Sequence, residues 1–149
     1  MADRIANTFD EAAEPAWNFA ASPYRPDLVV INLGSNDFST LPHPSRDEFT
    51  AAYTRILQTL RGAYGDEMPI LCVAPRVSEP AFTYIRDLCQ SAVVPNLHFA
   101  AILPGYCNDG SDLGSSAHPN YAGQRKMAML LIPYVSTLTG WEAEIKPIE

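Results

Sequence analysis

Two residues in loops that follow apolar segments have side chains suited to hydrolytic chemistry, and the first is Asn36. It lies in the stretch Gly34-Ser35-Asn36-Asp37, directly after the apolar run LVVINL. Its amide N–H2 could stabilise a developing oxyanion, and Gly34 lets the chain turn sharply as it leaves a strand. Asp37 is better suited to bracing this loop than to reacting. The same four residues are also ordinary turn chemistry after a strand, so both interpretations stand.

His118 is the second candidate. Pro119 keeps the backbone of His118 extended, which places the ring just before a predicted helix. From there the imidazole could act as a general base, with its tautomer set by a partner on the other nitrogen. An exposed histidine beside a helix start is the alternative, and His43 and His98 receive that interpretation. The three histidines are scattered without i, i+4 pairing, so no zinc site is predicted.

The elements that would position these residues alternate along the chain. Apolar runs suited to buried strands lie at 27–34, 70–74 and 96–102, and helical patterns follow each of them. Ser45 and Glu48 form a capping box at the start of the first helix. Pro119 is predicted to open the last helix, and Gly140 to end it. Helical turns are also predicted near residues 5–13.

This order predicts an α/β domain with three α/β/α layers, a parallel sheet and right-handed crossovers. In such a sheet the chemistry lies at the carboxyl ends of the strands. The loops that hold Asn36 and His118 follow the first and third strands. They are therefore expected at one edge of the sheet.

The composition of the chain limits the classes of partner that it is expected to bind. The chain has 149 residues, 47% of them apolar, and a mean hydropathy of -0.07, which is typical of one folded domain. A net charge of -7 argues against nucleic acid or an anionic membrane as the main partner. No apolar run is long enough to span a bilayer, and no signal peptide is recognisable at the start. Cys72 is expected to be buried, while a disulfide between Cys89 and Cys107 is left open.

Several stretches together resemble one hydrolase superfamily. They are Trp17 and Phe19, RPDLVVINLGSNDFS, a helix ending in AYGD, HPNYAGQRKMA, and TGW. Over roughly residues 15–141 the chain is similar to the SGNH (GDSL-type) hydrolases, and within them to carbohydrate esterase family 2, the acetylxylan esterase type. The resemblance implies a flavodoxin-like sheet and ester hydrolysis by a serine that a histidine activates, without a cofactor. By position it makes Asn36 the oxyanion donor and His118 the base, with Gly34, Asp37 and Ser115 in support.

The sequence departs from that family pattern in two places. It contains no Gly-Asp-Ser stretch, so the nucleophile is not identifiable, and the N-terminal strands of the fold are expected to be missing. Most superfamily members also have an Asp three residues before the histidine, where this chain has Ser115. Asp112 lies six residues before it. Some family 2 esterases orient the histidine through a backbone carbonyl instead, and Ala117 replaces an aromatic residue that is common there.

The sequence thus predicts an approach segment at 1–26, the C-terminal part of an SGNH hydrolase domain at 27–141 and a tail at 142–149. The expected function is hydrolysis of acetyl esters on carbohydrates or other small esters by a Ser–His mechanism. The alternatives are a non-catalytic sugar-binding or interaction module of the same fold, or one chain of a two-chain esterase. Either self-association along strand 28–34 or marginal stability of the isolated chain is expected, because an unpaired strand edge is a template for association. The compartment is not assigned, although relatives are often secreted.

Overall fold

The computed structural model describes residue 5 and residues 17–19, 21–74, 79–103, 106–107 and 109–144. Three strands alternate with three helices in the order β1 Val29–Ile31, α1 Arg46–Tyr64, β2 Ile70–Ala74, α2 Glu79–Gln90, β3 Leu97–Ala101 and α3 Tyr121–Thr139. Short 3-10 turns follow β1 at Asn36–Phe38 and precede α3 at Ser115–Ala117. Residues 6–13 of the predicted N-terminal turns and residues 145–149 of the predicted tail lie outside the described residues.

The three strands form one parallel sheet in the order β1-β2-β3. Ile70 of β2 lies opposite Val29 of β1 on one side and Leu97 of β3 on the other. All five residues of β2 are fully buried, as expected for a central strand that is covered on both faces. The predicted α/β class with a parallel sheet is confirmed.

Alternate residues of β2 build two separate cores, one on each face of the sheet. Ile70 and Cys72 pack against α1 and α2, and the buried residues of that cluster include Leu57 and Ile85. Leu71 and Val73 face the other way and pack with residues of α3, among them Met127, Leu130 and Leu131. A sheet with helices on both faces is the three-layer arrangement that the sequence predicts.

The first strand differs from the prediction. The apolar run at 28–34 predicts a strand covered on both faces, whereas only Val29–Ile31 pair, and they pair with β2 alone among the described strands. Ile31 is buried on the α1 side, but Val30 points to the other face and is 47% exposed. The reason is the position of α3, whose side chains cover Leu28 and the inner strands without covering Val30. The described part of the sheet therefore has β1 at its edge.

The cysteines do not form the bridge that the sequence leaves open. All three are free, and Cys72 is buried as predicted. Cys89 packs with the core between the sheet and helices α1 and α2, whereas Cys107 lies in the core under α3. The sheet separates the two thiols, so Cys89 and Cys107 do not pair.

The predicted capping box at the start of α1 is confirmed. The Ser45 hydroxyl accepts a hydrogen bond from the backbone N–H of Glu48 at 3.3 Å, and a Glu48 carboxylate oxygen accepts one from the Ser45 backbone N–H at 2.8 Å. The backbone N–H and hydroxyl of Ser45 lower the pKa of Glu48 below its ordinary value. Gly140 ends α3 with φ 74, the left-handed conformation that favours glycine at a helix end.

Removing the capping box should destabilise the fold in a pH-dependent way. We expect Ser45→Ala to lower the free energy of unfolding by about 1 kcal/mol at neutral pH. Because the folded pKa of Glu48 is lowered, its contribution is present above its unfolded pKa and is lost as pH falls through the folded value. Urea denaturation at several pH values should show the difference from wild type shrinking towards acid, whereas Gln58→Ala, on the exposed face of α1, should show no such trend.

Candidate active site

The loop after β1 holds Asn36 in a turn with an accessible side chain. Gly34 is buried with φ 117, a left-handed value that favours glycine and bends the chain away from the strand. Asn36 then begins the 3-10 turn, and its carbonyl accepts hydrogen bonds from the backbone N–H of Ser39 at 3.3 Å and from the Ser39 hydroxyl at 2.8 Å. The backbone of Asn36 is therefore held while the residue itself is exposed.

Aromatic packing fixes this turn to the helices. The ring of Phe38 lies 5.3 Å from that of Phe49 in α1 and 6.1 Å from that of Tyr84 in α2, measured between centroids. Asp37 is half-buried and lines a cavity of about 100 Å³ between the turn and α1, together with Gly34 and Glu48. The supporting residues Gly34 and Asp37 thus lie beside Asn36 at the carboxyl end of β1.

His118 is held by the carbonyl of Ser115. The backbone N–H of His118 donates to Ser115 O at 3.0 Å, and its ring atom Nδ1 lies 3.3 Å from the same oxygen. A carbonyl oxygen can only accept, so this contact is a hydrogen bond when Nδ1 carries the proton. That tautomer leaves the lone pair of Nε2 available as a base, and His118 is exposed.

The residues between Ser115 and His118 have an unusual backbone. Ser116 and Ala117 have φ values of 53 and 58, in the left-handed region that residues with a side chain rarely adopt. Such residues cost on the order of 1 kcal/mol each and persist only where their surroundings hold them. The backbone around His118 is therefore strained, and its conformation depends on contacts made by its neighbours in the chain.

The last helix begins two residues later than the sequence predicts. Pro119 therefore precedes the helix and does not open it, because Asn120 is the N-cap: its side-chain oxygen accepts from the backbone N–H of Gly123 at 3.1 Å. The side-chain N–H2 of Asn120 also donates to Ser111 O at 2.8 Å and to Leu113 O at 3.2 Å. Asn120 thus joins the first turn of α3 to the loop that precedes His118.

Asp112 has a partner other than His118. The residue is 1% exposed, and its Oδ2 accepts from Lys126 Nζ at 2.7 Å. The hydrogen bond to this carboxylate raises the pKa of Lys126. Within the described residues Oδ1 of Asp112 has no hydrogen-bond partner. The carboxylate six residues before His118 is therefore engaged with α3, and Ser115 O is the group that contacts the imidazole.

The two loops leave the sheet at the same edge, the one formed by the carboxyl ends of the strands. Both β1 and β3 run parallel to β2 and flank it, so their carboxyl ends lie about 10 Å apart at one edge, given a strand spacing of about 4.8 Å. The structure brings Gly34, Asn36 and Asp37 together after β1, and Ser115 and His118 together after β3. His98 is near the amino end of β3 and lies away from this edge. Its Nε2 forms a hydrogen bond with Asn96 Oδ1 at 2.9 Å.

The described residues also bear on metal binding and on membrane insertion. They contain no group of three or more His, Cys, Asp and Glu side chains that could hold a metal ion. Among their helices, none combines the length and the hydropathy that crossing a bilayer requires.

Comparison with known proteins decides the family. Residues 4–126 match the profile of the GDSL-like Lipase/Acylhydrolase family. The chain belongs to this family. Its structural neighbours with the same fold are carbohydrate esterases of family 2, as the sequence motifs suggest.

Three relatives illustrate the similarity of this GDSL-like chain. It is 34% identical to the cellulase/esterase CelE of Acetivibrio thermocellus over 134 residues, 84% of the chain and 16% of that protein. It is 27% identical to an acetylxylan esterase / glucomannan deacetylase of Cellvibrio japonicus, over 89% of the chain and 36% of that protein. A family two carbohydrate esterase from Clostridium thermocellum, solved in complex with cellohexaose, superposes with a TM-score of 0.74 at 27% identity, over 87% of this chain and 41% of that one. The chain thus spans about a sixth to two fifths of the length of these relatives.

Sequence reasoning missed the contacts that hold the His118 loop, which we define as residues 109–120. The Asn120 cap could have been found, because Asn lies three residues before Gly123 at a helix start. The pairing of Asp112 with Lys126 carried no such signal. It joins residues in a loop and a helix, and only the close approach of the two segments creates it.

Close packing of α3 on this loop should make Gly123 intolerant of a side chain. A Cβ added to Gly123 would lie 2.5 Å from the backbone oxygen of Asp112 and 3.0 Å from Pro119 Cβ. We expect Gly123→Ala to lower the free energy of unfolding by about 1–3 kcal/mol, the range for overpacked sites. The control is Gly62→Ala in α1, where the added Cβ meets nothing within 4 Å and Ala should stabilise by about 0.5–1 kcal/mol. Equal effects of the two substitutions in urea denaturation would contradict this packing.

Proposed function

We propose that this chain supplies the general base and one oxyanion donor of a carbohydrate O-acetyl esterase. The observation that supports the proposal most directly is the contact between His118 Nδ1 and Ser115 O. It orients the ring and leaves Nε2 as the proton acceptor, which is the arrangement that a Ser–His mechanism needs. Membership of the GDSL-like family supports the same chemistry.

The proposed reaction proceeds in two steps. Nε2 of His118 takes the proton of a serine hydroxyl as the oxygen attacks the acetyl carbonyl, and the side-chain N–H2 of Asn36 donates to the resulting oxyanion. Collapse of the tetrahedral intermediate breaks the bond to the sugar oxygen, which receives the proton from His118. Water then attacks the acetyl-serine with His118 again as base, releasing acetate and restoring the hydroxyl.

The 149 residues contain no Gly-Asp-Ser stretch, so the nucleophilic serine of this mechanism is not identified among them. We propose that it lies on a polypeptide segment outside these residues, either on the same gene product or on a second chain. Among the described serines near the site, Ser39 already donates its hydroxyl to Asn36 O at 2.8 Å.

The proposed substrate is an acetylated carbohydrate. The names of the relatives support it: one is a cellulase/esterase and another an acetylxylan esterase / glucomannan deacetylase. A structural neighbour was solved with cellohexaose. The exposure of both Asn36 and His118 is compatible with a large substrate that reaches the sheet edge from solvent.

Hydrolysis of p-nitrophenyl acetate and acetylated xylan, assayed with the serine-bearing segment present, tests the mechanism. We expect His118→Ala to abolish turnover and Asn36→Ala to lower kcat by about 10²–10³-fold, the loss typical of one oxyanion donor. His98→Gln, near the amino end of β3, serves as the matched histidine control and should keep wild-type activity. Turnover that survives His118→Ala would rule out His118 as the base. A wild-type protein that binds xylo- or cello-oligosaccharides without hydrolysing the esters, even with the serine-bearing segment present, would instead favour the non-catalytic module.

We also propose that two copies of the chain associate through β1. Val29–Ile31 pairs on one side only among the described strands, and the side chain of Val30 is 47% exposed. The backbone N–H of Val29 donates to Pro69 O on the β2 side, so the alternating backbone groups of Val30 point to the open side. Unpaired groups on an exposed apolar strand favour pairing with a second strand.

Light scattering at several protein concentrations should detect this association. We expect Val30→Lys to shift the chain to the monomer, because a charge on an edge strand opposes pairing. Val93→Lys makes the same chemical change at an exposed valine outside the sheet and should leave the association unchanged. A wild-type chain that is monomeric at all concentrations would contradict the proposal.

A further inference from the structure

We infer that Asp112 and Lys126 are positioning residues for His118. Their ion pair holds the His118 loop, residues 109–120, against α3, and thereby keeps the imidazole on the Ser115 carbonyl in one tautomer. This inference rests on the proposed role of His118 as a base. It concerns Asp112, which lies outside the motifs in which Asn36 and His118 are found, and Lys126, which lies in the HPNYAGQRKMA stretch that begins at His118.

The ion pair is asymmetric in its burial. The Asp112 side chain is 1% exposed, whereas that of Lys126 is 40% exposed. A buried carboxylate is unfavourable unless a cation or hydrogen-bond donors compensate it. Lys126 Nζ provides that compensation at 2.7 Å, and its distance to the exposed carboxylate of Asp109 is 3.7 Å. Asp112 can therefore stay buried only while Lys126 is present in α3.

The backbone of Asp112 is tied to the same helix start. Its carbonyl accepts from the backbone N–H of Asn120 at 2.8 Å and lies so close to Gly123 that a Cβ there would approach to 2.5 Å. The Asn120 side chain bonds the carbonyls of Ser111 and Leu113, on either side of Asp112. Displacement of the Asp112 side chain would consequently disturb a set of contacts around it.

These contacts continue to His118. Leu113 and Pro119 form an antiparallel bridge, and the backbone N–H of Gly114 donates to His118 O at 2.8 Å. The loop is therefore closed at its base, with Ser115, Ser116, Ala117 and His118 at its tip. Because Ser116 and Ala117 have left-handed backbones, the tip keeps its conformation only as long as the base is held.

Loss of Lys126 should therefore change the tautomer of the His118 imidazole. Without the cation, the buried Asp112 carboxylate is uncompensated and moves towards solvent, so that the ion pair no longer holds the base of the loop. The tip can then relax to ordinary backbone angles, which separates Nδ1 from Ser115 O. The ring loses the hydrogen bond that selects the Nδ1–H tautomer.

Long-range ¹H–¹⁵N NMR of the histidine rings tests this at a pH where the imidazole is neutral. His43→Gln and His98→Gln assign the signals, since the chain has three histidines. In the wild type we expect Nδ1–H to be the major tautomer of His118. In Lys126→Met the ratio of Nδ1–H to Nε2–H should fall by about fivefold, the factor that loss of one hydrogen bond gives. Lys126→Arg, which keeps the charge, should restore most of the ratio.

Two further variants separate positioning from general stability. Arg46→Met removes the exposed ion pair with Asp87, which joins α1 to α2 away from the loop, and should leave the ratio unchanged. If Lys126→Met does not fold, Asp112→Asn combined with Lys126→Met decides, because it leaves no uncompensated buried charge, and it should show the same fall. A wild-type ratio in either folded variant, or an equal fall in Arg46→Met, would overturn the inference.

The NMR readout does not depend on turnover, so the two proposals can fail separately. A tautomer ratio that responds to Lys126, in a protein that has its serine-bearing segment but no esterase activity, would support the positioning and count against the function. An active enzyme whose tautomer ratio is the same with and without Lys126 would support the function and count against the positioning.

Discussion

The middle strand, β2, is hydrogen-bonded to a parallel neighbour on each side, and its five residues are completely buried. This pairing sets the direction of β1 and β3, and every later feature of the site depends on it. Because all three strands point the same way, the loops that follow them leave one edge, and helices must return the chain along the two faces. The loops that hold Asn36 and His118, far apart in the sequence, thereby leave the sheet at the edge formed by the carboxyl ends of the strands.

At that edge the two loops are held in different ways. Aromatic rings that belong to the core on one face of the sheet hold the Asn36 turn, through Phe38. The His118 loop is held by polar contacts to α3, including a carboxylate buried with its cation. Polar contacts are directional, and a buried charge without its partner is unfavourable. They can therefore maintain a strained backbone that apolar packing alone would let relax.

The elements that could be predicted are those whose signal is local in the sequence. The capping box of Ser45 and Glu48 spans one helical turn, and the apolar run at 70–74 has no polar residue to expose, so the sequence predicts both correctly. The exposure of Val30 could not be predicted, because it depends on where α3 packs. The sequence predicts that α3 starts at Pro119, since proline is common in the first turn, whereas the side chain of Asn120 makes the cap.

The candidate site likewise has one part that the sequence predicts and one part that it does not. Asn36 and His118 stand in recognisable motifs, but the group that contacts His118 is a main-chain carbonyl, and every residue has one. Only the left-handed backbone at Ser116 and Ala117 turns the Ser115 carbonyl towards the ring. A contact made by the backbone carries no signature of residue type, so no inspection of side chains would have identified it.

Using a carbonyl at this position has a chemical consequence. A carboxylate beside a catalytic histidine both selects the tautomer and stabilises the imidazolium that forms, whereas a neutral carbonyl provides the first effect and only part of the second. The buried carboxylate of this loop, Asp112, is already neutralised by Lys126. Under the proposed mechanism, His118 therefore relies on orientation more than on a neighbouring charge. A base that depends on orientation requires a rigid loop, which explains why so many polar contacts converge on residues 109–120.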